Sequence, residues 1–319
     1  MTRRTPPGFN DAMTLPAGLT TRPLAVDDAA GVAAILAAEQ QRDLGLVSIE
    51  EADVVADWRR PSLDLAARTL AVLDGDELVA CAELIGPDRA HAGVAPAHHG
   101  RGIGTYLAAW LREKARSVGS PSVGMPVPEG SPGDRLLESL GYHVRWTSWL
   151  LALPEGRAVE PQPLPDGYAV RTARASDHRA LWTVVEDSFL EWSVRDRQSF
   201  EDFSAQVMGR PGFERWNLRV VEDEVGEVVG AAVVHLSADV GYVDKLAVRR
   251  DRRGRGLGRA LLADAFVQAR RRGATRSELA TDSRTGALTL YRRVGMEVTA
   301  VWVNRAVDLD GARTPPRQA

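Results

Sequence analysis

The chain contains one strand-to-helix junction twice, and that repetition limits its folds more than any other feature. An apolar run enters Val248-Arg-Arg-Asp-Arg-Arg253-Gly-Arg-Gly256-Leu-Gly258-Arg259 and leaves as an amphipathic helix. Val94-Ala-Pro-Ala-His-His99-Gly-Arg-Gly102-Ile-Gly104-Thr105 does the same 154 residues earlier. The offset holds further on, since Gly141 and Gly295 are also 154 apart, and Arg22 to Asp28 is echoed by Arg171 to Asp177 at 149. A shared register over such a distance means that a whole domain is duplicated, with a small length change inside it. The junction itself suits phosphate: helix-opening N–H groups have no intrahelical acceptor and lie at the positive end of the macrodipole, and glycines let the backbone close on an anion.

A length of 319 residues accommodates two such domains, each with its own core. The expected organisation is a loose arm over 1–17, a first domain over 18–153, a proline-rich linker over 154–165, a second domain over 166–310 and a tail over 311–319. In each domain the apolar periodicity predicts a strand, a helix, a variable stretch, a hairpin, the glycine junction with its helix, a strand, a short helix and a closing strand. For the first copy the helices fall at 28–40, 103–116 and 134–140, with a closing strand at 143–151. For the second they fall at 177–187, 257–272 and 286–294, with a closing strand at 298–305. Hairpins followed by one strand–helix–strand crossover imply an α/β fold, a mixed sheet with helices on both faces.

Composition narrows the function classes. No apolar run reaches membrane-spanning length and the Met1-Thr-Arg-Arg4 start lacks the apolar core of a signal peptide, so a cytoplasmic protein with no membrane partner is expected. The single cysteine, Cys81, excludes an internal disulfide and reads as core in an alternating strand. His91, His98, His99, His143, His178 and His235 show no ligand spacing beyond the adjacent loop pair, and no metal is expected. Arginines crowd Arg249 to Arg271 although the net charge is only −3. A nucleic-acid surface would call for a basic domain with interleaved aromatics, so a small polyanionic cofactor fits better.

The loop is neither of the commoner nucleotide loops. A Walker A motif needs lysine and a hydroxyl after its last glycine, and the dinucleotide fingerprint needs glycines at other spacings than Gly254, Gly256 and Gly258. What remains, Arg253-x-x-Gly256-x-Gly258, resembles the signature of the GNAT superfamily of acetyl-CoA-dependent N-acetyltransferases. Ala287-Leu-Thr-Leu-Tyr291-Arg-Arg-Val-Gly295 looks like that family's closing helix, with a tyrosine four residues before a glycine. The likeness covers both halves, and the tandem layout is similar to mycothiol synthases.

The resemblance implies acetyl-CoA as cofactor and, carried over by position, names site residues. Backbone groups of Leu246, Ala247 and Val248 would pair with the pantetheine arm, and Arg253, Gly254, Arg255, Gly256, Leu257, Gly258 and Arg259 would wrap the pyrophosphate. Val94, Gly100, Arg101, Gly102, Ile103, Gly104 and Thr105 form the matching set in the first copy. Tyr291 is the implied proton donor to the departing thiolate, the alternative being a buried tyrosine that caps a turn. Asp244, on the cofactor-facing side of its strand, is either a general base acting through water or a salt-bridged carboxylate; the family's usual strand glutamate falls at Tyr242. Arg284 stands where the family often has asparagine. An aromatic wall from Phe189 and Trp192 through Phe200, Phe203 and Phe213, with Glu186, Asp187 and Glu191 to attract a cation, is the expected acceptor side.

Shifted by 154, Tyr291 falls on Leu137, Asp244 on Ala90 and Arg253 on His99. The first domain is therefore expected to be catalytically silent. The functions left open are an acetyltransferase of a small primary amine, an acetyltransferase of protein N-termini or lysines, and a non-catalytic acyl-CoA sensor. A monomer or homodimer suits all of them.

Overall fold

A computed structural model describes residues 14–160 and 163–309. The expected tail at 311–319, and residues 1–13 of the expected arm, lie outside the described residues. In chain order the first half gives β1 (Leu19–Arg22), α1 (Ala29–Leu44), α2 (Glu51–Trp58), α3 (Leu65–Arg68), β2 (Thr69–Asp74), β3 (Glu77–Leu84), β4 (Ala90–Val94), α4 (Ile103–Ser117), β5 (Ser122–Pro128), α5 (Pro132–Ser139) and β6 (His143–Ala152). The second gives β7 (Ala169–Thr172), α6 (His178–Leu190), α7 (Phe200–Val207), β8 (Leu218–Glu222), β9 (Val228–Ser237), β10 (Val240–Val248), α8 (Leu257–Arg270), β11 (Arg276–Asp282), α9 (Leu288–Arg293) and β12 (Glu297–Asp308). Apart from the four-residue α3, the two copies therefore repeat the same order of elements, with mixed sheets flanked by helices.

Hydrophobic patterning accounts for the strands and helices that build the junction. The run Val228-Val-Gly-Ala-Ala-Val-Val234 is apolar at successive positions because β9 is covered on both faces, and Val229, Ala231, Ala232, Val233 and Val234 are fully buried. Leu257, Leu261, Leu262, Ala265, Phe266 and Ala269 recur at helical spacing and bury one side of α8. In the first copy Ile103, Leu107, Leu111 and Ala115 do this for α4, which packs into a core with Val79, Leu84 and Met125. Cys81 is buried and unpaired, and burial pushes its thiol well above the ordinary range, so it is an inert core residue.

The contacts divide the described residues into two compact units that do not follow the linear split at the linker. One unit holds residues 14–58, 62–147 and 302–309, and the other residues 59–61 and 148–301. In the N-terminal unit β1-β2-β3-β4 are antiparallel neighbours, and β5 takes residues Trp302 to Asp308 of β12 as its antiparallel partner. In the C-terminal unit β7-β8-β9-β10-β11 form the sheet, and β11 takes Ser148 to Ala152 of β6. Each copy's closing strand thus finishes the other copy's sheet. A period-two pattern states which face of a strand is buried and leaves open which free edge it joins, so the expectation of a closing strand within each copy does not hold.

α7 was absent from the expected elements. Its signal was Ser199 followed by Asp202: the serine Oγ accepts from the Asp202 N–H at 3.0 Å and caps the helix.

Candidate active site

In the C-terminal unit β10 runs parallel to β11 from Val240↔Arg276 to Val243↔Leu279, and the register of β10 against β9 shifts between Val243 and Lys245. Beyond that point β10 stays paired with β9 only. The Arg249 N–H donates to Val229 O at 2.9 Å, so by antiparallel alternation the N–H of Val248 faces the opposite edge. That edge borders a cavity of about 810 Å³ lined by Leu246, Ala247, Val248, the glycine junction and Tyr291.

The junction presents donors to this cavity. Gly254 (φ +76°) and Gly256 (φ +80°) occupy the left-handed region that other residues avoid, and Gly256 is the N-cap of α8 with no side-chain cap. The N–H groups of Leu257, Gly258 and Arg259 therefore open the helix without a side-chain acceptor. Arg259 lines the cavity, and its buried Nε has no partner among the described residues. An orphaned guanidinium nitrogen beside uncapped helix N–H groups fits the diphosphate of coenzyme A. Arg253 is occupied differently: its Nε donates to Val248 O at 2.9 Å and its terminal nitrogens form a bidentate pair with Glu191 at 2.8 and 2.7 Å. That pair holds the Glu191 carboxyl below the usual range. Arg255 does not line the cavity, and its NH1 reaches Tyr168 Oη at 3.2 Å. Of the two arginines, Arg253 braces the strand end and Arg255, expected to wrap the pyrophosphate, stands outside the lining.

Tyr291 is 8% exposed, packed by α9 against Leu246, Val294 and Met296, and burial pushes its phenol up to about 12. It is therefore protonated in the resting site. Asp244 sits at the bulge of β10 and lines the same cavity. Burial works to raise its carboxyl, but Lys245 at 2.7 Å and His235 at 3.8 Å outweigh this and hold it well below the usual carboxylate range. The general-base reading of Asp244 meets a physical obstacle there, because so strong an acid is a poor proton acceptor.

The acceptor side is narrower than expected. Phe189 and Trp192, 5.2 Å apart, line the cavity, whereas Phe203 is core and Phe200 packs edge-on against Trp182. The three acids expected to attract a cation are claimed by arginines: Glu186 by Arg195 at 2.7 and 2.8 Å, Asp187 by Arg197, and Glu191 by Arg253. Arg284 forms a pair with Asp282 at 2.6 and 3.1 Å and lies 4.9 Å from the Trp192 ring centre, so it closes over the aromatic wall.

The N-terminal unit has a cavity of about 580 Å³ at the matching place, lined by Val94, Gly100, Gly102, Ile103, Gly104 and Thr105. Gly102 (φ +85°) is again an uncapped N-cap, and Arg101 turns to Asp74 at 3.0 Å as Arg255 turns away. His99 copies the bracing bond of Arg253 through Nε2 to Val94 O at 2.8 Å, and Arg42 takes its other nitrogen at 2.7 Å. Leu137 lines the cavity where the other unit has Tyr291. One group was not foreseen: Glu39 of α1 lines this cavity, accepts from the Val94 N–H at 3.2 Å, and is pushed by burial up to about 7.

Among the described residues no group of three or more metal-binding side chains occurs, and no helix is long and apolar enough to cross a membrane.

Comparison with known proteins agrees with this geometry. The acetyltransferase (GNAT) family model matches residues 33–142 and 178–296, one span in each copy. A mycothiol acetyltransferase of Streptomyces coelicolor is 28% identical over 254 residues, spanning 74% of this chain and 78% of the relative. The crystal structure of a GCN5-related N-acetyltransferase from Sphaerobacter thermophilus superposes with a TM-score of 0.72 at 28% identity, over 93% of this chain and 97% of that one. A tandem GNAT protein from the clavulanic acid biosynthesis pathway shares the fold, with a TM-score of 0.70 at 18% identity over 92% of this chain and 100% of that one.

Proposed function

The chain belongs to the GNAT acetyltransferase family, and from that premise we propose that it transfers the acetyl group of acetyl-CoA to the primary amine of a small molecule, in its C-terminal unit. The observation that carries this reading is the convergence of Tyr291, the open edge of β10 and the uncapped start of α8 on one cavity. The enzyme class itself, an acetyl-CoA-dependent acyltransferase, follows from the family.

Acetyl-CoA, when bound, supplies an activated thioester whose carbonyl can be attacked by a neutral amine. The N–H groups of Leu257, Gly258 and Arg259, with the Arg259 guanidinium, would hold the diphosphate. Outward N–H groups on β10, at Leu246 and Val248, would align the pantetheine arm as an added strand and polarise the acetyl oxygen. Tyr291, protonated because its phenol is raised, is suited to give its proton to the sulfur as the carbon–sulfur bond breaks. Asp244 stays ionised at working pH and so acts by charge, drawing the acceptor ammonium toward the bulge while water carries the proton off. The walled aromatic side at Phe189 and Trp192 supports a compact acceptor over an extended polypeptide, and the relatives' name points the same way.

The test is release of free thiol from acetyl-CoA against a panel of small amines and N-terminal peptides. The reading expects turnover with one class of small amine. Turnover confined to peptides would replace it with the protein-acetylating alternative, and none with any acceptor would favour a sensor.

A further inference from the structure

Both units end their central strand with an N–H that faces the cavity: Val248 in one and Val94 in the other, since Ala95 N donates back to Val79 O at 2.8 Å just as Arg249 N does to Val229 O. The two N–H groups meet different neighbours. In the N-terminal unit Glu39 Oε1 lies 3.2 Å from the Val94 nitrogen. The position 149 residues on, which matches it by the offset of the first helices, is Ser188, whose Oγ addresses the Val248 carbonyl at 3.4 Å.

A second difference makes room for the first. Gly93, preceding Val94, corresponds to Ala247 at the 154-residue offset. A Cβ at Gly93 would lie 2.8 Å from Leu36 Cδ2 and 3.1 Å from Glu39 Oε2, so those two side chains would have to move off the strand end. Glycine here leaves room for the Glu39 carboxyl at the strand end, and the matching position in the other unit is alanine.

We infer that Glu39 decides which unit accepts the thioester: its carboxyl occupies, in the N-terminal cavity, the strand-end donor that a pantetheine arm needs, so only the C-terminal cavity takes the donor in the native chain. This rests on acetyl-CoA being the donor substrate. The phosphate loop of the N-terminal unit is intact, so the obstruction lies at one side chain and is removable. A carboxyl at the end of the arm's path also repels a polyanionic ligand whenever it is ionised, which adds to the steric and hydrogen-bonding conflict.

Calorimetric titration of the full chain with acetyl-CoA, without acceptor, tests the inference by stoichiometry. The wild type should take up one equivalent, lost in Gly256→Leu. Glu39→Ser, which copies Ser188, should gain a second equivalent with affinity at least about tenfold above any residual binding there, and the gain should persist in the Glu39→Ser, Gly256→Leu double variant. Gly93→Ala, which adds one methyl group and copies Ala247, should gain it too and serves if Glu39→Ser does not fold. A second equivalent already present in the wild type, or none gained by folded Glu39→Ser or Gly93→Ala, overturns the inference. No uptake by any form, wild type included, overturns the donor reading itself.

Discussion

In the C-terminal unit the strand-end N–H of Val248 and the phenol of Tyr291 border one cavity, while in the N-terminal unit Val94's N–H is held by Glu39 and Leu137 stands in the tyrosine's place. The glycine junctions are nearly superimposable in kind: Gly102 and Gly256 are uncapped left-handed N-caps, and His99 and Arg253 each brace the carbonyl at the end of the strand. Even the bracing pairs correspond, with reversed polarity. Arg42 partners His99, and Glu191, at the 149-residue offset from Arg42, partners Arg253. Duplication has therefore kept the backbone of the glycine junction and changed a few side chains around it. A binding loop survives as long as its backbone does; chemistry is lost at one or two positions.

The comparison can be broken most forcefully at Tyr291. Tyr291→Phe keeps the ring and removes the proton, and is expected to lower kcat about a hundredfold, near 2.7 kcal/mol, with the KM for acetyl-CoA little changed. Steady-state thiol release checks this, and an unchanged kcat would make the two units chemically alike.

Glu39 offers the next largest effect. Its carboxyl is raised from 4.5 to about 7, chiefly by burial. An acid whose folded pKa lies above its unfolded one binds its proton more tightly when folded, so the stability it contributes is complete below 4.5 and is lost as pH climbs through about 7. Glu39→Gln removes that loss. Denaturant unfolding should show the variant more stable than wild type by up to about 2 kcal/mol at pH ~8, with the gap closing at pH ~4. A gap independent of pH would mean that the carboxyl is not desolvated as described.

Arg259 sharpens the comparison from the phosphate side. Arg259→Ala should weaken acetyl-CoA binding about tenfold, since it removes the cation whose buried Nε lacks a partner among the described residues, and calorimetry measures it. The equivalent position in the other unit is Thr105, and Thr105→Ala should leave that binding unchanged. The smallest effect is at Asp244: Asp244→Asn should raise the acceptor's KM about threefold by removing a charge at the bulge, and a loss of kcat comparable to that of Tyr291→Phe would restore the general-base role.

Much of this was legible in the chain because periodicity and glycine spacing are local. β7 and the junction helices α4 and α8 emerge close to their expected bounds, and the glycine turns that open those helices were readable from Gly100 to Gly104 and from Gly254 to Gly258. What was hidden is non-local. No pattern within β6 or β12 announces that each would complete the other copy's sheet. Glu39 lies 55 residues from the N–H it contacts, and only the 149-residue offset to Ser188 could have marked it. Ion pairing was hidden for the same reason: Glu186, Asp187 and Glu191 look like an acidic lure in sequence, and each is matched by an arginine supplied by a loop.

The most direct test of the division of labour is thiol release from acetyl-CoA, with an accepted amine, by the matched pair Gly256→Leu and Gly102→Leu. Both glycines have the same left-handed backbone, at φ +80° and +85°, so strain is balanced between the two variants. The account predicts that Gly256→Leu abolishes turnover while Gly102→Leu retains it. Turnover lost in Gly102→Leu and kept in Gly256→Leu would contradict it.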